Sequence, residues 1–542
     1  MLKIFKSPQY RSLSLSLALL IPQCSSESVP DIPSDTENNS PPSAFSVTSL
    51  TATENVAKRF VISWQESQYA DNYTVCMVSD SSPGDCSSLG ETSTESFSFY
   101  LQDRLLDQDF SIYVIATNQY GETESNTIIT DASLRNTSVG LVIPPEAEDF
   151  DNSGAGVAIS GDGQTAAIGR PGDDGLGNVG TDYGAVDIYR LNNDQWSYED
   201  TLSCSIQKDN DTNGYVLDLN QDGNILAMGV PTENRAGRSE TGAICIFEYS
   251  STWSETSILR TNAAPSAFAR TGDSLILSDD GNRVIAGLPG HGNQRGSAVA
   301  LENDGGWSQT LFFVVPGTIN NDRVGASISG NSAADRIVIG SPGDDSSQGS
   351  AYVYDLVGGT WTYIEKLISP EPDSDDQFGA TVQMNGNGNI IAISSPNDDG
   401  PSNVNGTNNT GAVHIFEDQN GTWNHIQTLY PSQNTANLHF GGESSSTQIS
   451  LSDDGDILVV GSPGQDLDVP ATSSSNDGST YIFRRQNGTY TSSVFTSPDN
   501  QPSDQFGSSV ALSDDGGTLI IGAQGDDGAL NTNDAIGSAY IY

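Results

Sequence analysis

One short pattern returns seven times in this chain of 542 residues: a glycine, a small residue, then apolar residues ending in a large or aromatic one. It reads Gly184-Ala-Val-Asp-Ile-Tyr189, Gly242-Ala-Ile-Cys-Ile-Phe247, Gly296-Ser-Ala-Val-Ala-Leu301 and Gly349-Ser-Ala-Tyr-Val-Tyr354. It continues as Gly411-Ala-Val-His-Ile-Phe416, Gly478-Ser-Thr-Tyr-Ile-Phe483 and Gly537-Ser-Ala-Tyr-Ile-Tyr542, at intervals of 53 to 67 residues. Self-similarity of this period commits a chain to stacked copies of one supersecondary unit. Alternation over six residues makes each copy a strand packed between neighbouring sheets.

The unit around the fifth copy has four strands, A to D. They are Phe378–Met384, a turn at Asn385-Gly-Asn-Gly388, Ile390–Ile393, then Gly411–Phe416 and Trp423–Leu429. The fourth strand opens with Trp196, Trp253, Trp307, Trp361, Trp423 or Tyr490 in six copies, and the seventh copy has none. Val139-Gly-Leu-Val-Ile-Pro144 precedes the first copy as Lys366-Leu-Ile-Ser-Pro370 precedes the fifth. The N-terminal segment is therefore expected to complete the last sheet and close a ring, which removes exposed edges. The expected fold is all-β: a seven-bladed β-propeller over 138–542, preceded by a small β-sandwich.

Residues 1–23 read as a signal peptide. Lys3, Lys6 and Arg11 precede the apolar run Leu13–Ile21, and no acid occurs before Glu27. Cys24 follows directly and resembles the lipid-bearing cysteine of a bacterial lipoprotein. Gln23 departs from the small residue expected before it, so ordinary secretion stays open. Residues 24–43 are polar, acidic and Pro-rich, an extended spacer. The five cysteines then divide into Cys24 and four others. Cys76 and Cys86 are close enough to staple a hairpin, and Cys204 with Cys245 would pair between neighbouring blades.

Between 44 and 134 the strands Phe60–Trp64, Asn72–Cys76 and Phe110–Asn118 alternate as a sandwich does. Trp64 and Tyr113-x-Ile-Ala-x-Asn118-x-x-Gly121 resemble a fibronectin type III domain, with Phe110 in place of the usual corner tyrosine. The repeats of 138–542 resemble the FG-GAP repeat of integrin-α-type propellers. Phe378-Gly379 and Phe506-Gly507 are the literal FG pairs, and Gly169-Arg-Pro171, Gly340-Ser-Pro342 and Gly461-Ser-Pro463 stand at the second motif. Many members of that family hold calcium in the A–B loop. Here Gly161-Asp-Gly163, Gln221-Asp-Gly223, Asp279-Asp-Gly281, Asp453-Asp-Gly455 and Asp514-Asp-Gly516 are too short and read as tight turns. The family's calcium loops are not carried over.

Seventy acidic against 21 basic residues give a net charge of −49, which repels nucleic acid and anionic lipid. B–C and D–A loops leave the ring on one face. There Asp173-Asp174, Asp344-Asp345, Asp398-Asp399 and Asp526-Asp527 recur at matching positions, joined by Asp373, Asp375, Asp376, Glu146, Glu148 and Asp149. The bland reading is a solvated rim with turn-forming Asp; the functional one is a face for a cation or cationic ligand, calcium being the candidate ion. No Asp box, P-loop lysine or nucleophile–base pairing stands out, and His291, His414, His425 and His439 are scattered. The expectation is a non-enzymatic, extracytoplasmic binding or adhesion protein, lipid-anchored or secreted, with a protein or glycan ligand. A scaffold without a specific ligand is the alternative, ahead of a propeller-fold enzyme.

Overall fold

The computed structural model describes residues 40–542 except 54–55, 79–85, 102–104, 106, 132–133, 136–137, 146–148, 176–181, 207–210, 212, 236, 262–266, 401–408, 433–437, 443–446, 466–475, 499–500 and 528–534. The expected signal peptide, Cys24, the spacer up to residue 39, Glu146 and Glu148 lie outside the described residues.

The N-terminal body is a sandwich of two antiparallel sheets. Val47–Ala52, Arg59–Trp64 and Ser96–Tyr100 form one; Cys86–Thr92, Asn72–Val78, Ser111–Asn118 and Gly121–Glu124 form the other, with Ile128–Ile129 against Ser111–Asn118. Alternation puts Phe60, Ile62, Trp64, Tyr73, Val75, Ile112 and Val114 into one core. Phe110, lacking a hydroxyl, packs edge-on to Phe60 at 5.4 Å between ring centroids. Cys76 and Cys86 are joined across the paired strands.

Among the described residues seven four-stranded antiparallel sheets follow, at 157–202, 217–259, 275–313, 328–367, 382–429, 449–495 and 506–541. Six take all four strands in chain order. The seventh takes Phe506–Leu512, Leu519–Ala523 and Ser538–Ile541, then Gly140–Val142 from the far end of the repeats. Register pairs Ala539 with Val142, Tyr540 with Leu141 and Ile541 with Gly140. Each A strand lies against the A strand of the next sheet, and the seventh returns to the first. The arrangement is propeller-like, and the cores confirm how it holds: Ala167, Val186 and Ile188 of the first sheet pack with Leu226, Met228 and Cys245 of the second.

The repeated glycines mark where neighbouring sheets touch. A Cβ on Gly340, before Ser341-Pro342, would stand 2.2 Å from the carbonyl oxygen of Gly379, the glycine of the next FG pair. The ring closes on the same contact, where a Cβ on Gly522 would stand 2.0 Å from the Gly154 oxygen. In the fifth sheet Ser394 replaces the first glycine. Cys204, just past the first sheet, is bonded to Cys245 in the second.

The sandwich rests on the ring. Lys58, 1 % exposed, donates through Nζ to the Gly517 carbonyl, and its backbone N–H donates to Ser138 O at 2.9 Å. Leu105 joins the core of Phe495, Phe506 and Tyr542, and Ala57 packs in the core of Val142 and Ile541.

Candidate functional site

The A strands line a central channel of roughly 200 Å³. At one end the seven A–B turns are tied edge to edge by backbone hydrogen bonds. Asp162 donates to Gln221, Gln221 to Asp279, Asp279 to Ser332, Ser332 to Gly386, Asn387 to Asp453, Asp453 to Asp514, and Asp514 to Gly161, at 2.9–3.2 Å. Each turn satisfies the next, so the rim of this end is a closed chain of peptide groups.

The two aspartates of an Asp-Asp-Gly turn have different tasks. The second forms the turn: Asp280 accepts from Ser278 Oγ at 2.6 Å and from Asn282 N at 3.0 Å, and Asp454 and Asp515 repeat this with Ser452 and Ser513. The first lines the channel: Asp279, Asp453 and Asp514, with Asp218 from the second A strand, form an acidic collar. Burial pushes Asp514 up to about 7, and the charges of Asp453, Asp279 and Asp218 add to it. Burial likewise puts Asp218 at about 7 against hydrogen bonds from the Leu277 and Leu219 N–H groups, and Asp279 at about 6 beside Asp453. Sequence reasoning took Asp279, Asp453 and Asp514 only as turn formers and did not single out Asp218. The signal that separates them is the serine one residue before each pair, which claims the second Asp.

At the opposite face each sheet has a corner where its D–A loop meets its B–C loop. In the fourth sheet Asp344 accepts from Ser350 Oγ at 2.6 Å and Tyr352 OH at 2.5 Å, and Lys366 Nζ lies 2.9 Å from Asp344 and 2.8 Å from Asp345. In the seventh sheet Asp526 accepts from Ser538 Oγ and, at 2.9 Å, from Tyr540 OH. Gln465 does the same for Ser479 and Tyr481 in the sixth. In the first sheet Arg170, 1 % exposed, meets Asp187, Asp151 and Asp173 together.

The sequence-predicted pairs are thereby split. Asp344 and Asp526 are buried and turned inward to strand C, Asp173 is half-buried against Arg170, and Asp398 is buried and accepts from Gly400 N at 2.7 Å. Their partners tie the base of the B–C loop: Asp174 accepts from Asp182 N at 3.0 Å, Asp399 from Asn409 N at 3.3 Å and Asp527 from Ala535 N at 3.1 Å. Asp345 and Asp399 are exposed, as are Glu371, Asp373, Asp375 and Asp149. Asp376 is buried and pushed up to about 7, by burial first and then by Asp398, Asp373 and Asp399, against a backbone hydrogen bond from Asp373.

Among the described residues, one trio of potential metal-ligand side chains converges within 4.8 Å: Cys204, Cys245 and Glu255. Its sulfurs are bonded to each other, and Glu255 accepts from Ser205 N at 2.7 Å and Ser205 Oγ at 2.6 Å. It is a staple between sheets. His414 is buried and packs against Phe378, its Nδ1 3.1 Å from Thr428 Oγ1; burial lowers it to about 3 and keeps it neutral.

Residues 361–416 and 492–542 match the FG-GAP repeat family model. Each matched FG-GAP segment begins on strand D of one sheet and ends on strand C of the next, so it spans one whole corner and one literal FG pair. The match supports an FG-GAP β-propeller. No curated protein matches the chain. Among solved structures, Kuenenia stuttgartiensis hydrazine synthase is 13 % identical, with 70 % of this chain and 94 % of that chain covered and a TM-score of 0.45. The periplasmic gluconolactonase PpgL of Pseudomonas aeruginosa is 11 % identical, with 79 % and 97 % covered and a TM-score of 0.41. Likenesses this slight bear on no chemistry.

Proposed function

We propose that this chain is an extracytoplasmic binding protein, its seven-bladed FG-GAP-type propeller presenting the B–C/D–A face to a protein or glycan ligand and carried on a fibronectin type III-like sandwich. The observation that carries the reading is the charge of that face. Asp345, Glu371, Asp373, Asp375 and Asp399 are exposed there, and the sequence holds no Lys or Arg between Lys366 and Arg484. Loops on a rigid scaffold are where binding usually resides, and a one-signed surface selects cationic or cation-bridged partners. Two disulfides suit a chain that leaves the reducing cytoplasm.

The test is binding of the full chain to arrays of glycans and surface proteins. Saturable binding that weakens at least tenfold in an Asp345→Asn, Asp375→Asn, Asp399→Asn variant supports the reading; no binding to any array sinks it. Anchoring is tested separately, by palmitate labelling that Cys24→Ser abolishes.

A propeller-fold enzyme is the second reading, favoured by one observation: the channel collar keeps Asp218, Asp279 and Asp514 near neutrality, where carboxyl groups serve as acids and bases. Turnover of a glycoside or ester panel, lost in Asp514→Asn, would establish it.

A further inference from the structure

The seven corners form an internal comparison, because the fold repeats one position with different residues. Where a corner holds two acids, it usually also holds a cation from the chain. The first sheet pairs Asp151 and Asp173 with Arg170, whose Nη1 lies 3.0 Å from Asp151. The second places Glu233 beside Arg260 Nη2 at 3.2 Å, with Asp211 at the matching position. The fourth pairs Asp322 and Asp344 with Lys366. The third and sixth have no acid pair, carrying Ala269 with His291 and Leu438 with Gln465.

The fifth and seventh corners keep both acids without such a cation among the described residues. In the seventh, Ser538 and Tyr540 occupy Asp526. The fifth lacks even these: Ala412 and His414 stand where Ser350 and Tyr352 hold Asp344 in the fourth, and Thr428 stands where Lys366 does. Asp398 accepts only from Gly400 N, at 2.7 Å through Oδ1, and Asp376 from Asp373 N, at 2.8 Å through Oδ2. Their remaining oxygens make no hydrogen bond among the described residues.

A second observation is independent of charge. Ser395, at the strand position from which Arg170 reaches its acids, is 0 % exposed and its Oγ has no hydrogen-bond partner among the described residues. Its counterparts are satisfied on the D–A loop: Ser341 Oγ donates to Asp322 O at 2.9 Å and Ser462 Oγ to Leu438 O at 3.1 Å. An unsatisfied hydroxyl at this depth, at the same corner as two incompletely bonded carboxylates, is the kind of group that a bound water or ion completes.

We infer that the fifth corner, formed by Asp376, Asp398 and the Ser395 hydroxyl, is a binding site for a hard divalent cation, calcium first. The donors are all oxygen, which suits calcium and magnesium and disfavours softer metals. Two carboxylates and a hydroxyl leave positions for water, and two carboxylates match the charge of the ion. The site stands apart from the A–B turns and does not depend on whether the face also binds a macromolecule.

The experiment is thermal unfolding of the full chain in chelator, calcium or magnesium, with calorimetric titration and terbium luminescence excited through tyrosine. Tyr430 lies within electrostatic reach of Asp398 and Asp376. Calcium is expected to raise Tm by about 2–5 °C at a hundredfold excess over Kd. Asp398→Asn should abolish the rise. Thr428→Lys, which copies Lys366 of the fourth corner, should raise Tm in chelator and remove the calcium increment, and it keeps the test decisive should Asp398→Asn fail to fold. No calcium-dependent rise, heat or luminescence overturns the inference. So does a rise that both variants retain, or stabilisation by an arginine-rich peptide but not by calcium. None of these outcomes reads ligand-array binding, so failure here is distinct from failure of the adhesive reading.

Discussion

Asp107 of the sandwich grips Arg484 of the sixth sheet with both carboxylate oxygens, Oδ2 at 2.7 Å from Nε and Oδ1 at 2.5 Å from Nη2. The Asp107 side chain is 1 % exposed, and Ser493 Oγ lies 3.5 Å from its Oδ2. A bidentate, desolvated pair fixes geometry as well as charge. The sandwich is therefore clamped to the ring, in addition to its chain connection. Asp107→Ala removes this bidentate contact to Arg484 and is expected to cost about 2–4 kcal/mol. Limited proteolysis of the full chain should then release the sandwich earlier, and a cycle with Arg484→Ala should recover part of the loss.

The Cys204–Cys245 bond spans 41 residues between two sheets. Loop-closure entropy for that length amounts to about 4 kcal/mol. Cys204→Ser with Cys245→Ser should lower the urea midpoint by a corresponding amount. Cys76→Ser with Cys86→Ser, closing only 10 residues, should cost less.

Gly461 faces Gly507 of the next sheet, where an added Cβ would stand 2.1 Å from a carbonyl oxygen. Backbone cannot yield as a side chain can, so Gly461→Ala is expected to cost about 2–3 kcal/mol. Circular dichroism melts check it. Gly488→Ala serves as a comparison, since nothing lies within 4 Å there and only its positive φ of 81° is strained.

The collar sets the direction of a pH effect. Asp218, Asp279 and Asp514 hold their protons more tightly folded than unfolded, with values of about 7, 6 and 7. Folded chains then bind more protons than unfolded ones from about pH 4 to about pH 7, and stability falls as pH rises through that window. Asp514→Asn removes one of the repelling charges. It should raise stability at pH 8 by at least ~1 kcal/mol and flatten the slope between pH 4 and 7 in urea titrations. A steeper slope would refute the assignment.

Much of the ring was legible because its signals repeat. The Gly349–Tyr354 type of strand and the likeness of Val139–Pro144 to Lys366–Pro370 together announce the closing role of Gly140–Val142. The pattern fails where one motif serves two ends. Asp279 and Asp280 are identical letters in a turn, and only the hydroxyl of Ser278 decides which faces the channel. Asp398 and Asp399 split the same way, one buried and one tying the loop base. The clamp of the sandwich was not legible, since it rests on single residues, Lys58, Leu105 and Asp107, in a segment with no period.

The pairing of Gly140–Val142 with Ser538–Ile541 also orders events in time. The early partner is made with six sheets still to come, so it must wait, extended and unpaired, while the chain between them folds. Contacts this distant in sequence form slowly, and waiting strand edges invite wrong partners. Lys58 N–H on Ser138 O and Ala57 beside Val142 let the folded sandwich hold that strand in place from the outset. In this light the small domain acts as a splint, presenting a prepared edge to the last strands of the ring when they arrive.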